Sequence, residues 1–566
     1  MRASVISIAL FAMCIFIFPA TCLTQQPVAS PSSGNASDQL CTIAGTVLSA
    51  NTGEPLKKAH AVLHRRGEES NEHPLTATTD ASGHFSIDKI PAGRYELAVD
   101  RANYLDMQYG QDQPDKPGAI LSLAPGQKMT DLLFRLHRTA VIAGRVLDQD
   151  GDPVRGAEVV AAARTMVRGK PKIEPSEGIS TNDLGEYRVA DLAPGRYLVL
   201  ASPPRVSPWR EPEEQAAYLP TYYPGTTESA RASAIEVKSG DEITGIDLVF
   251  ASKLPTRTYK IHGRVVNSVT DDPDAQIVVL LSPRMNRELD FDPNQKQANP
   301  DRKTGTFEIN DVAPGEYVAV AISFGEGRRH RAAQNVDVIA SDVDGVSLIL
   351  TRGIDIPVRV MLEGKSAAIA DMSILLNPSA NEASIRFSEE RRRAIVQPDG
   401  SFVLKEVSDG SYSLEVYSKC RECYLKSARG NGVDLLEQGV QVVSGEAPSP
   451  IAVLYSSNTG TLTGAVTNKD DLPAPGALVV LVPDSSSHQR PEQYKTSTTD
   501  QYGHFEIRGV PPGHYQAFAW EKADEDSYGD PDFRRPFESM AESFDIAAHE
   551  QKSVQLKMIA AADSAN

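Results

Sequence analysis

One spacing recurs five times in this chain and constrains its fold more than any other feature. Gly83 is followed by Phe85, Gly93 and Tyr95, at two, ten and twelve residues. The same frame holds at Gly185 (Tyr187, Gly195, Tyr197), Gly305 (Phe307, Gly315, Tyr317), Gly400 (Phe402, Gly410, Tyr412) and Gly503 (Phe505, Gly513, Tyr515). Self-similarity at a fixed period marks a repeat architecture, each copy being one structural unit. Each copy opens alike, with IAGTV, IAGRV, IHGRV, IPVRV or LTGAV, and closes on an alternating run such as DLLFRL or SVQLKM. Within the runs apolar residues alternate with polar ones, as in Phe85/Ile87 and Tyr95/Leu97/Val99. A period of two places one row of side chains on one face of a strand. Short strands broken by Gly/Pro turns predict an all-β sandwich for each copy. Asp80 to Gly83 is read as a turn, with glycine free to take a positive φ. Tyr95 is expected to pack inward and give its hydroxyl to a loop carbonyl, as tyrosine corners do in other sandwiches.

The stretch GRVLDQDGDPVRGAEV (144–159), with the TDxxGxFxxxxxPxGxY frame, resembles the carboxypeptidase regulatory-like domain. The resemblance implies a seven-stranded prealbumin-like (transthyretin-like) β-sandwich, grouped with carbohydrate-binding-like folds, and brings no catalytic residue set. It is strong in the first, second and fifth units and weaker in the third. The fourth has Val358 in place of the first-strand glycine, and Ser408-Asp409 in place of the second-turn proline. The expected architecture is a tandem array of five modules, at 41–137, 138–255, 256–352, 353–457 and 458–560. Closing strands run almost directly into opening strands, as in FRLHRTAVIAG, which predicts a semi-rigid rod.

The ends of the chain read differently. MRASVISIALFAMCIFIFPATCLTQQ has one Arg, an apolar run from Val5 to Phe18 and small residues at Ala20 and Thr21. That layout predicts a signal peptide over 1–24. A retained anchor and lipidation at Cys22 are the alternatives, although Pro19 and Thr21 fit a lipoprotein box poorly. Residues 25–40 and 561–566 read as disordered. No later segment has the ~18 apolar residues that a spanning helix needs. The expected location is the periplasm, the outer surface or the medium. A formal charge of −18 offers nucleic acid no basic field.

Chemical motifs are scarce. A zinc carboxypeptidase site needs a His and a Glu three apart plus a distant His, and none of the eleven histidines has that spacing. HExxH, GxSxG and phosphate-binding glycine loops are also missing. No catalytic residue, cofactor or metal is therefore expected. Cys420-Arg-Glu-Cys423 is a lone CxxC; a local disulfide, redox or metal work, and free thiols are its readings, with the disulfide first. Asp148, Asp150 and Asp152 resemble half of a calcium loop, but Pro153 and Val159 occupy the positions where an EF-hand needs Gly and Glu. A polar hairpin turn is the plainer reading. Lys–Asn self-cross-linking, known in adhesin domains of similar fold, is not expected, because the closing strands contain no Asn.

The copies differ in the loops that follow the second turn, where function is most easily added. PPRVSPWREPEEQAAYLPTYYPGT gathers Trp209, Tyr218, Tyr222 and Tyr223; WEKADEDSYGDPDF gathers Trp520, Tyr528 and Phe533; NYLDMQYGQDQ holds Tyr104 and Tyr109. Aromatic faces beside carboxylates suit sugar rings, so Trp209, Tyr218, Tyr222, Tyr223, Trp520 and Tyr528 are the candidate ligand-binding residues. The competing reading has these aromatics clamping each loop to its own sandwich or to the next module. The functional expectations are a non-enzymatic envelope protein that binds glycans or envelope proteins, a structural spacer, or an accessory to a separately encoded carboxypeptidase or outer-membrane transporter.

Overall fold

The computed structural model describes residues 40–560, apart from 67–73, 115, 168–169, 177, 205–217, 253–257, 269–275, 284–295, 326–327, 352, 365–371, 379–393, 419, 421, 444–449, 485–493 and 524. The expected signal peptide, the linker after it except its last residue, and the C-terminal tail lie outside these residues, and so does Trp209.

Strand alternation builds the first module. The strand Cys41–Ser49 buries every second residue. It pairs antiparallel with His84–Ile90 and parallel with Lys128–Leu136. A second sheet places His60–Arg65 between Leu75–Thr78 and Gly93–Asp100, and Leu121–Leu123 extends it at the edge. Ile43, Val47, Phe85, Ile87, Tyr95, Leu97, Val99 and Phe134 fill the space between the sheets. Four further cores of the same kind follow along the chain. The opening strand of each of these modules also pairs parallel with its closing segment. The expected tandem all-β array is thus the observed fold. The fourth module adds Tyr424–Gly430 outside its closing strand Ile451–Ser456.

The recurring frame has one physical explanation in all five places. The anchor glycine takes a φ between 71° and 80°, a region that costs a side-chain-bearing residue strain. A Cβ there would also meet an opening-strand carbonyl: Val47 O at 2.6 Å for Gly83, Val265 O at 2.2 Å for Gly305 and Val466 O at 2.7 Å for Gly503. The close approach lets the anchor carbonyl accept from that strand: Val47 N–H donates to Gly83 O and Val466 N–H to Gly503 O, each at 2.8 Å. The aromatic two residues on is buried in each core. Each frame tyrosine donates its hydroxyl to the carbonyl four residues upstream: Pro91 (2.7 Å), Ala193, Ala313, Ser408 and Pro511 (each 2.9 Å).

Two further recurring features were not foreseen from sequence. Six residues after each anchor glycine the backbone again turns left-handed, at Lys89, Asp191, Asp311, Glu406 and Gly509. A register shift marks each of these points, so every module bends this strand with a bulge. Only the fifth copy announces the bulge with a glycine. In modules 1, 2 and 5 a buried threonine precedes the turn. Thr79, Thr181 and Thr499 each donate to one carbonyl (Leu56, Val154, Ala474) and accept from one amide (Ala59, Ala157, Ala477). Each pins the proline-containing turn after the opening strand to the frame turn.

Candidate functional site

The candidate aromatics divide by burial. Trp520 is fully buried and stacks on Phe518, with ring centroids 4.8 Å apart and planes at 13°. Tyr528, Phe537, Val480 and Val482 complete that cluster, and Phe533 leans on it. These side chains cover the outer face of the second sheet of module 5, and the loop folds over them in two short helices, Glu525–Gly529 and Pro531–Arg534. Tyr222 is likewise buried on the outer face of module 2, with Val160, Leu198 and Leu200. Tyr218 stacks on Phe250 (4.9 Å, 13°), and its hydroxyl lies 3.4 Å from Asp148 Oδ2. Tyr223 packs against the core of module 2. The expectation of open sugar-stacking faces on Trp520, Tyr528 and Tyr222 is therefore corrected. These rings hold the loops to their own sandwiches, because the outer sheet faces are apolar and must be covered.

Cys420 and Cys423 are joined by a disulfide. Cys41 is a buried thiol that donates to Ala124 O at 3.0 Å. Asp148 Oδ1 accepts from the amides of Asp150 (3.0 Å) and Asp152 (2.8 Å), the geometry of an Asx turn. Among the described residues no group of three or more His, Cys, Asp or Glu is placed to hold a metal ion, and no helix is long and apolar enough to cross a membrane.

A different place brings polar side chains together from distant sequence. Module 5 lies directly on module 1, so the array folds back on itself, and the expectation of a rod is corrected. The contact is made by the frame turn of module 5. Leu121–Leu123 is an edge strand of module 1, and an edge offers unpaired backbone groups. Ile120 N–H donates to Thr499 O at 3.1 Å. The Gln501 amide then pairs with this edge as a neighbouring strand would. Its Oε1 accepts from Ser122 N–H at 2.9 Å, and its Nε2 donates to Ser122 O at 2.6 Å. Ser122 Oγ donates to Asp500 Oδ2 at 2.9 Å. Ala119 and Ile120 are buried there without joining the core of module 1.

Charge complementarity frames this polar centre. Module 1 supplies cations and module 5 anions: Arg94 to Glu506 at 3.0 Å and Lys116 to Glu521 at 2.8 Å. Burial works against the Glu506 carboxylate, but Arg508 and Arg94 outweigh it and hold the group below the usual glutamate range. Burial likewise opposes the Lys116 charge, and Glu521 with Asp112 raises it above the usual lysine value. Burial pushes the Tyr109 hydroxyl up, with Tyr502 and Asp500 adding to the effect from across the junction. A cleft of about 470 Å³ runs along the contact, lined by Arg94, Ser122, Asp500, His504, Phe505 and Glu506 among others. Arg508 reaches on to Glu422 of module 4 at 3.7 Å. Module 2 joins at both ends. Asn51 of module 1 exchanges hydrogen bonds with Ser239, and the helix Glu525–Gly529 lies against the strand Glu158–Val167. The only sequence signal for this junction was the pair Gln501-Tyr502, where the turn of module 1 has Ala81-Ser82.

Comparison with the curated proteins finds no match. Among solved structures, a minor pilin of Streptococcus agalactiae is similar at 15% identity over 38% of this chain and 99% of the pilin, with a TM-score of 0.21. The Bacillus anthracis TIE protein is similar at 12% identity over 55% of this chain, with a TM-score of 0.16, and only 50% of its own length is matched. A putative carbohydrate binding protein of Pseudomonas aeruginosa is similar at 15% identity over 16% of this chain and 88% of its own, with a TM-score of 0.12. Likeness at this level carries nothing about ligand or partner. The family model of the carboxypeptidase regulatory-like domain matches residues 42–128, 141–219 and 461–523. Those three regions hold the buried threonines Thr79, Thr181 and Thr499. The chain is a tandem β-sandwich protein whose first, second and fifth modules match the model of the carboxypeptidase regulatory-like domain.

Proposed function

We propose that this chain is a non-catalytic, exported binding or scaffold protein of the cell envelope, its five modules forming one folded-back platform. One observation carries the reading: every residue of the pattern repeated five times is occupied with folding. The anchor glycines set turns, Gly93, Gly195, Gly315 and Gly513 lie against the ring of the tyrosine two residues on, the aromatics fill cores and the tyrosine hydroxyls satisfy loop carbonyls, so the pattern leaves nothing over for chemistry. Glycan binding is the finer form of the proposal, and it rests on the module 2 loop that carries Trp209. The burial of Trp520, Tyr528 and Tyr222 favours a second reading, in which the chain is a spacer or assembly subunit without a small ligand. A role beside a separately encoded carboxypeptidase or outer-membrane transporter is the third.

A glycan array on the folded chain separates binder from spacer. The binding reading expects retention of a glycan class, lost in Trp209→Ala with unchanged thermal stability. Trp520→Ala is expected to cost roughly 3–5 kcal/mol of module 5 stability, so it reports on folding. Absence of any retained glycan, with no protein recovered by co-purification from envelope fractions, contradicts the binding reading and leaves the spacer. Fractionation of cells expressing the chain with and without residues 1–24 tests export.

A further inference from the structure

The junction between modules 1 and 5 is a recognition surface with two unlike halves. One half is the edge strand Leu121–Leu123 and the preceding Ile120 with Arg94 and Lys116; the other is the turn Thr499–Gln501 with Glu506 and Glu521. The contacts are backbone, amide and ion-pair bonds, in the manner of separable protein–protein surfaces within one chain. An interface between unlike halves is heterologous, so it can be satisfied within one chain or between chains. Tethering favours closure within the chain, because linked halves meet at an effective concentration set by the chain between them. Crowding many copies at one place opposes that advantage.

We propose that the module 1 edge is a docking site for the module 5 turn of a second copy of this chain, and that the closed single chain is the resting form of a protein that can also assemble head to tail. The occupant is specified by the site. It must present an amide side chain that pairs in both directions with Ser122, a carboxylate within reach of the Ser122 hydroxyl, and two flanking carboxylates opposite Arg94 and Lys116. Module 5 of another copy has all four groups in that arrangement. This goes beyond the scaffold reading and does not depend on any glycan.

A charge-exchange experiment on the full chain tests it. One variant carries Arg94→Glu and Lys116→Glu; the other carries Glu506→Arg and Glu521→Lys. Each alone places like charges across its own junction, so each is expected to run as an opened monomer with a larger hydrodynamic radius and unchanged β-sheet circular dichroism. Mixed in equal amounts, they present opposite charges across chains, and light scattering should find a one-to-one complex of twice the chain mass. Raised salt should dissolve it. The chain with all four substitutions should return to the compact monomer, which shows that the substituted modules still fold. A mixture that stays monomeric overturns assembly between copies. Single variants that keep the compact radius overturn the junction itself.

Discussion

The turns at Gly83 and Gly503 share a frame and differ in fate. In both, the carboxylate three residues before the glycine accepts two backbone amides. Asp80 takes those of Ser82 (2.8 Å) and His84 (2.9 Å), and Asp500 takes those of Tyr502 and His504 (each 2.9 Å). In both, the glycine sits left-handed against a valine carbonyl. The Asp80 turn faces solvent, whereas Asp500 is buried against module 1. Asp500 needs one oxygen for the turn and has the other free for Ser122. Ala81 has no group with which to meet a strand edge, and Gln501 has an amide that meets it twice. A structural unit thus becomes an interaction surface through Gln501, a residue that folding leaves free to vary, together with the spare oxygen of Asp500.

The largest expected effect touches what the turns share. Gly83→Ala and Gly503→Ala should each destabilise their modules by roughly 2–3 kcal/mol in denaturant unfolding, from the left-handed backbone and the carbonyl clash. A loss confined to one of them breaks the equivalence of the two turns. Next, Asp500→Ala should cost roughly 2 kcal/mol, because it removes the turn acceptor and leaves a junction hydroxyl unpaired. Asp80→Ala should cost less and leave the radius of gyration unchanged. Gln501→Ala should cost about 1 kcal/mol and raise the radius of gyration by small-angle scattering, whereas Ala81→Gln should stay within about 0.5 kcal/mol of the parent.

The smallest effect is the response to pH. Glu506 is held below its ordinary value of 4.5, so its contribution is complete above that pH and is lost as pH falls through the lower folded value. Lys116 is held above 10.5, so its contribution is complete below that pH and is lost as pH rises through the higher folded value. The junction should be tightest between these limits and loosen on either side. Scattering that shows the junction loosening at neutral pH contradicts the two ion pairs.

Much of the fold was legible because period two, turn glycines and the corner tyrosine are local rules, repeated often enough to be seen five times. The bulge at Lys89, Asp191, Asp311 and Glu406 was hidden, because four of its five residues carry side chains and nothing marks them for a positive φ. The buried Thr79, Thr181 and Thr499 looked like polar turn residues, since their bonds run to segments more than twenty residues away. The aromatic loops misled for a physical reason: a tryptophan beside acidic residues reads the same whether it stacks on a sugar or covers an apolar sheet face. The junction was out of reach, because Ser122 and Gln501 lie 379 positions apart, and a short linker sets the distance between neighbouring modules but not the direction of the next one.

Closure of the array by the module 5 turn is most directly tested by amide hydrogen exchange at Ile120 and Ser122 in the full chain. Both N–H groups point out of the module 1 edge and donate to module 5 alone, to Thr499 O and Gln501 Oε1. Closure predicts slow exchange at both amides in the parent chain and fast exchange in the Glu506→Arg, Glu521→Lys chain, with the amides inside the module 1 core unchanged. Fast exchange at Ile120 and Ser122 in the parent chain would contradict it.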